Sequence, residues 1–184
     1  MRAGGRPRYH CGVASFEIRI FGDPGLRQRT ADVTTFDGSL ARLAEDMITT
    51  MYDAPGTGLA ANQVGVRKRV FVYDVGEGPR TIVNPEIIES RGEWTFEEGC
   101  LSVPGLFWPI VRPKEVHLRG QDLDGAEIFI EGDELLGRVF QHEVDHLDGV
   151  LLLERLDEDQ RKGALRTLRT RTLGLPDGPT GPEL

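Results

Sequence analysis

Gln141-His142-Glu143-Val144-Asp145-His146 is the stretch on which the reading of this 184-residue chain turns. It lies in a run, Glu134 to Leu147, whose apolar residues Leu135, Leu136, Val139, Phe140, Val144 and Leu147 predict a helix, with Asp133 as N-cap and Gly149 just past the C-terminus. Positions four apart share one helix face, so His142 and His146 can offer imidazole nitrogens to a single metal ion. Glu143, one step round, sits at the rim of such a site, where it can take a proton from water without being a ligand itself. The same spacing arises by chance on solvated helices. Here the apolar flanks predict burial on most sides, and buried imidazole and carboxylate groups need partners. Two of the chain's four histidines fall in this one turn, which favours a metal site.

A chain of this length buries about 70% of its unfolded surface, enough for one sizeable core. A net charge of -8 argues against a DNA-binding or membrane-surface protein, and no apolar run is long enough to span a bilayer. The opening Met1-Arg2-Ala3-Gly4-Gly5-Arg6-Pro7-Arg8 is basic, but no apolar segment follows it, so a secretory signal is not expected. Two cysteines, Cys11 and Cys100, make no disulfide framework, and the chain reads as cytoplasmic. Residues 1–15 are expected to form a disordered extension, 16–173 one domain, and 174–184 a flexible tail.

Residues 16–20 alternate like a short strand before the turn at Gly22-Asp23-Pro24-Gly25. Leu40, Leu43, Met47 and Met51 then mark an amphipathic helix capped by Asp37 or Ser39. Gly56-Thr57-Gly58-Leu59-Ala60-Ala61-Asn62-Gln63 has the look of a dinucleotide fingerprint, but it follows a helix and not a strand, so that reading fails. Its glycines are expected either to let backbone approach a ligand or another segment, or to make a ligand-free tight turn. Short strands are expected at 70–72, 81–83, 86–88 and 115–119, with a hairpin at Asp124-Gly125 leading into 126–130. His117 falls on the polar side of its strand and is expected to be solvated. A last helix, about 158–173, carries Arg161, Lys162, Arg166, Arg169 and Arg171. Such a helix is usually a packed element with a solvated basic face; docking on an anionic surface such as ribosomal RNA is the less common use. The class is α+β: mostly antiparallel sheets packed around a central metal-binding helix, with an N-terminal amphipathic helix and a C-terminal helix.

Two histidines do not complete a catalytic tetrahedral site. No histidine follows His146, which leaves Glu154 and Glu158 downstream, or Cys100 upstream in Glu98-Gly99-Cys100-Leu101-Ser102. A lone cysteine is most often a small buried hydrophobe. Beside the paired histidines its thiolate gives a Cys-His-His set suited to divalent zinc or iron.

Three motifs stand in order, G-x-G-x-A-A-x-Q at Gly56 to Gln63, E-G-C-x-S at Glu98 to Ser102 and Q-H-E-x-D-H at Gln141 to His146. Together they resemble the peptide deformylases, over about residues 16–159. The resemblance implies a hydrolase that removes the formyl group from N-formylmethionyl nascent peptides. It makes Cys100, His142 and His146 the metal ligands and Glu143 the general base, with the Gln63 amide and the Leu101 backbone N–H holding the oxyanion. It implies Fe(II) as native metal, with zinc, nickel or cobalt as substitutes. By the same resemblance Gly58 and Gly99 pair with substrate backbone, while Thr57, Phe96, Leu135, Arg138 and Val139 surround the methionine side chain. Thr57 and Arg138 depart from the family's usual aliphatic residues; Arg138 is expected to lend its stem to the pocket and keep its head in solvent. Phe107-Trp108 stand where some relatives place a basic residue. Arg112 is expected to bridge Glu98 and Asp145. Two rivals are an H-E-x-x-H endopeptidase, indifferent to Cys100→Ser, and a non-catalytic metal-stabilised binding module, which would have no use for Glu143.

Overall fold

The computed structural model describes residues 15–173. The expected extension before residue 15 and the tail after 173 lie outside the described residues. The first helix, α1 (Gly38–Asp53), starts where the Asp37 carboxylate accepts from the backbone N–H groups of Ser39 and Leu40, at 2.9 and 3.3 Å. That contact satisfies two of the helix's orphan donors. Its apolar stripe of Leu40, Ala44, Met47 and Met51 is buried against β1 (Gly58–Ala60) and β2 (Val70–Tyr73).

The remaining strands are β3 (Arg80–Arg91), β4 (Trp94–Cys100), β5 (Val103–Arg112), β6 (Glu115–Gln121) and β7 (Glu127–Asp133). They form a five-stranded antiparallel sheet in the order β1-β2-β3-β6-β7 and a separate β4-β5 hairpin. The His-bearing helix α2 (Glu134–Leu147) lays Val139, Phe140, Val144 and Leu147 on Phe71, Tyr73, Ile82, Val116 and Leu118 of the large sheet. Gly137 lets it lie flush, since a Cβ there would be 2.9 Å from Gly132 O and 3.0 Å from Lys114 O. Gly149, at φ +78°, turns the chain past the C-terminus of α2. A last helix, α3 (Glu158–Thr172), packs Ala164 and Leu168 with Leu152 and Leu153 against Val103 and Ile110 of the hairpin. The architecture is α+β, as read from the sequence.

Three local expectations need correcting. Residues 16–20 are extended but form no strand, because their backbone N–H groups find partners outside any ladder: Phe16 N donates to Thr50 Oγ1 at 2.9 Å and Arg19 N to Gln63 O at 2.7 Å. The runs at 81–83 and 86–88 are one strand, β3, interrupted by a register shift between Val83 and Glu86. Asn84, at φ 50°, spans that irregularity, its side chain pairing with Val33 N, Val33 O and Gln121. At the start of α2, Asp133 holds the N-cap position but makes no side-chain cap bond. Strand β7 runs straight into the helix, so the reversal falls on Glu134, which adopts φ 45°.

Candidate metal centre

Helix α2 and the end of β4 bring three donors together. His142 and His146, one turn apart, face the hairpin, and Cys100 closes β4 opposite them. His146 Nε2 lies 3.2 Å from both Cys100 Sγ and His142 Nε2, and all three ligand atoms fall within 4.8 Å of one another. Glu154 and Glu158 are elsewhere, paired with Arg27 and Lys162.

The set fits a divalent cation. Metal–nitrogen bonds of about 2.05 Å and a metal–sulfur bond of about 2.3 Å at tetrahedral angles place N···N at roughly 3.3 Å and N···S at roughly 3.6 Å. Both are near the separations found. The protonation pattern agrees: His142 Nδ1 lies 2.7 Å from Glu98 Oε1, and a carboxylate can only accept, so Nδ1 carries the proton and Nε2 turns its lone pair to the cluster. Burial works to raise the Cys100 thiol, yet His146 and His142 hold it well below the usual range, as a thiolate ligand requires. Burial likewise works to lower His142, but bonding to Cys100 and Glu98 raises it well above its ordinary value. The cluster thus attracts positive charge, which a cation brings without protons.

Behind the donors stands a charged network. Arg112 forks onto Glu98, Nε to Oε2 at 3.0 Å and Nη2 to Oε1 at 2.8 Å, and reaches Asp145 through Nη1 at 2.6 Å. This is the bridge expected from the sequence, and Arg155 secures the far side of Asp145. Burial opposes the Glu98 charge, but the His142 and Arg112 contacts keep its carboxyl below the ordinary carboxylate value. Arg138 contradicts expectation. The residue lines the pocket, but its head is buried, with Nη1 donating to Glu98 Oε2 at 3.0 Å and Nη2 to Trp94 O at 2.6 Å. The buried Glu98 carboxylate and the Trp94 carbonyl give the guanidinium better partners than solvent does.

Glu143 is buried beside the donors, and its Oε2 has no partner among the described residues. Burial, only partly offset by His142 and His146, pushes its carboxyl up to about 7. Gly58 makes room for it: a Cβ there would lie 2.3 Å from Glu143 Oε1. Gln63 sits in the 3-10 turn after β1, its Oε1 accepting from Ala60 N at 2.9 Å and its Nε2 donating to Ser102 Oγ at 3.1 Å, 3.9 Å from Cys100 Sγ.

A pocket of about 470 Å³ opens onto this cluster. Its walls include Thr57, Gly58, Phe96, Gly99, Leu135, Arg138 and Val139, with Gln63, Leu101, Cys100, His142 and Glu143 also exposed to it. All but His146 of the expected site residues therefore share one cavity wall, and His146 completes the cluster just beneath. Pro104, Gly105 and Leu106 also line it, a part of β5 with no motif to flag it. Asn62, whose Nδ2 donates to His146 O at 2.5 Å, likewise carried no signal beyond its place in the glycine-rich segment. A larger groove of about 780 Å³ is lined by ion-paired side chains such as Arg69 and Asp148, or Arg119 and Glu86, and holds none of the three donors.

The polypeptide deformylase family model matches residues 15–162. A peptide deformylase from Acidothermus cellulolyticus is 51% identical over 152 residues, covering 83% of this chain and 84% of that protein. Among solved structures, a peptide deformylase from Legionella pneumophila superposes with a TM-score of 0.82 at 43% identity, covering 87% of this chain and 96% of that one. That from Thermotoga maritima gives 0.76 at 47% identity, covering 78% and 98%.

Proposed function

The chain belongs to the polypeptide deformylase family, and from that premise we propose that Cys100, His142 and His146 hold the divalent cation at which Glu143 directs hydrolysis of an N-terminal formyl amide. The protein removes the formyl group from the formylmethionine that begins a nascent peptide, releasing formate and leaving a free amine. The observation that carries the site assignment is the trio of ligand atoms within 4.8 Å of one another beside a buried, unpartnered Glu143 oxygen.

A divalent cation bound there supplies Lewis acidity, making water nucleophilic near neutral pH and polarising the formyl carbonyl. The chain's own groups do the rest. Glu143 takes the proton from the attacking water and hands it to the departing amine nitrogen, a task suited to a carboxyl pushed up to about 7. The Gln63 amide and the Leu101 backbone N–H donate to the oxygen on which negative charge develops. Thr57, Phe96, Leu135, Val139 and the Arg138 stem take up the methionine side chain, while Gly58 and Gly99 present bare backbone to the peptide.

The catalytic domain spans 16–173. The native metal is Fe(II), with zinc, nickel or cobalt as replacements; the two-nitrogen, one-sulfur donor set suits these ions better than magnesium or calcium. Iron beside a thiolate makes the enzyme oxygen-sensitive. No helix of the described residues is long and apolar enough to cross a membrane; acting on nascent peptides, the protein works in the cytoplasm. The exposed basic residues Arg161, Arg166 and Arg169 of α3 form a solvated face that offers, as its less common use, a docking surface for an anionic partner such as ribosomal RNA. Anaerobic purification with metal analysis, followed by formate release from formyl-Met-Ala-Ser, tests the reading. Wild type should carry one cation per chain and turn over; Glu143→Ala should keep the cation and lose activity. A chain without cation, or with full activity in Glu143→Ala, would overturn it.

A further inference from the structure

We propose that Arg138 is a positioning residue, tying the pocket wall to the carboxylate that aims His142 at the cation. The proposal rests on the assignment of His142 as a ligand. Arg138 and His142 are four residues apart on α2 and so share a face, and both reach Glu98 from it. The four hydrogen bonds to Glu98 use both of its oxygens: His142 Nδ1 and Arg112 Nη2 on Oε1, Arg112 Nε and Arg138 Nη1 on Oε2. A carboxylate has about four acceptor sites, so Glu98 is saturated and cannot rotate without breaking a charged contact. Arg112 divides its charge between Glu98 and Asp145, whereas among the described residues Arg138 pairs with no carboxylate but Glu98. Arg138 thus supplies the cation dedicated to Glu98.

The same guanidinium holds the pocket. Its Nη2 bonds Trp94 O, its carbon lies 5.4 Å from the Trp94 ring centroid, and that ring stacks at 4.8 Å on Phe96, which lines the cavity. One side chain therefore sets both the wall beside the substrate and the orientation of a ligand imidazole. Removing the head while keeping the stem leaves Glu98 Oε2 with Arg112 Nε alone and so loosens the carboxylate that orients His142.

The test compares wild type, Arg138→Met and Arg138→Lys. Zinc affinity is measured by chelator competition, the ligand field from the visible spectrum of the cobalt-loaded protein, and thermal melting on the metal-free form. Arg138→Met keeps a stem of similar bulk and should bind zinc about 10- to 100-fold more weakly, with an altered cobalt spectrum and a fall in kcat larger than the change in KM. Arg138→Lys retains the charge but cannot fork to Glu98 and Trp94 together, so it should recover part of the zinc affinity. Zinc affinity within threefold of wild type and an unchanged cobalt spectrum in Arg138→Met, whatever its melting temperature, overturns the proposal. If Arg138→Met does not fold, an Arg138→Lys variant indistinguishable from wild type in both readouts overturns it equally. A wild-type chain that takes up neither metal sinks the ligand assignment itself, and this inference with it.

Discussion

Gly58 and Glu143 meet so closely that only hydrogen fits between them: a Cβ on residue 58 would sit 2.3 Å from Glu143 Oε1, 2.9 Å from its Cδ and 3.1 Å from its Cγ. The glycine belongs to an edge strand and the glutamate to the central helix, so the carboxylate proposed as the base is wedged between elements far apart in sequence. Gly58→Ala must displace the whole carboxylate. Formate release should fall about 100-fold or more, in the range expected for losing a positioned base. The cation content should stay at one per chain, because the atoms nearest a Cβ at residue 58 belong to Glu143 and not to the three proposed ligands. An active Gly58→Ala enzyme would show that Glu143 is not needed where it stands.

Arg112 has a heavier structural role. It is 6% exposed and pairs with two carboxylates, so Arg112→Ala takes both of its hydrogen bonds from Glu98, leaving it Arg138 and His142, and leaves Asp145 with Arg155. Removing one partner of a buried ion pair destabilises by about 3–5 kcal/mol. The urea midpoint should drop accordingly, and the cation should bind about 10- to 100-fold more weakly as Glu98 loosens its hold on His142. Unchanged midpoint and affinity together would remove Arg112 from the network's function.

The two ends of the Gln63 amide divide a structural contact from the proposed catalytic one. Its Oε1 braces Ala60 N, while its Nε2, shared at 3.1 Å with Ser102 Oγ, is the donor assigned to the oxyanion. Gln63→Leu should lower kcat by about 10²- to 10³-fold with little change in KM, since the donor acts on charge present only in the transition state. A small loss of stability should accompany it from the unpaired Ala60 N–H. A rise in KM at constant kcat would instead assign Gln63 to ground-state binding.

Asp37 gives a pH signature free of the metal site. Hydrogen bonds from Ser39 and Leu40 lower its pKa below the ordinary 3.8. The folded state therefore releases this proton more readily than the unfolded chain does. Its stabilising effect is complete above pH about 4 and fades as acid titrates the folded carboxyl. Asp37→Ala should melt at a lower temperature than wild type at pH 7, and the gap should close progressively below pH 4. A gap independent of pH would mean the cap works without its charge.

How far the sequence could be read follows from where each residue finds its partners. Helix α2 and its cluster were legible because periodicity, two histidines and Glu143 lie within one local run, and Cys100 sits in a motif of its own. Asp37 was legible as a cap for the same local reason. Residues 16–20 misled because alternation predicts a ladder, whereas their hydrogen bonds go to the Thr50 hydroxyl and the Gln63 carbonyl, acceptors brought near only by folding. The continuity of β3 through Pro85 depends on Asn84 borrowing both backbone groups of Val33, a contact spanning 51 residues. The buried head of Arg138 needed knowledge that Glu98 Oε2 and Trp94 O both lie within reach of one helix face, which spacing along the chain does not carry.

Glu134 marks a place where the chain stores strain. It opens α2 at φ 45°, in a region an L residue occupies at a cost of about 1–2 kcal/mol. The direct passage from β7 into the helix imposes this, its N–H being held by Lys114 O at 3.0 Å. The 3.4 Å contact between its carboxylate and Lys114 Nζ offsets little, since both side chains are solvent-exposed. Glycine adopts the same backbone without clash, although it loses more freedom on folding. Relief of strain should outweigh that loss and the surface pair, so Glu134→Gly should raise the melting temperature while leaving formate release within about twofold of wild type. Its neighbour Leu135 lines the pocket. A stabilised variant that also lost activity would therefore mean the strained turn sets the position of Leu135 over the substrate.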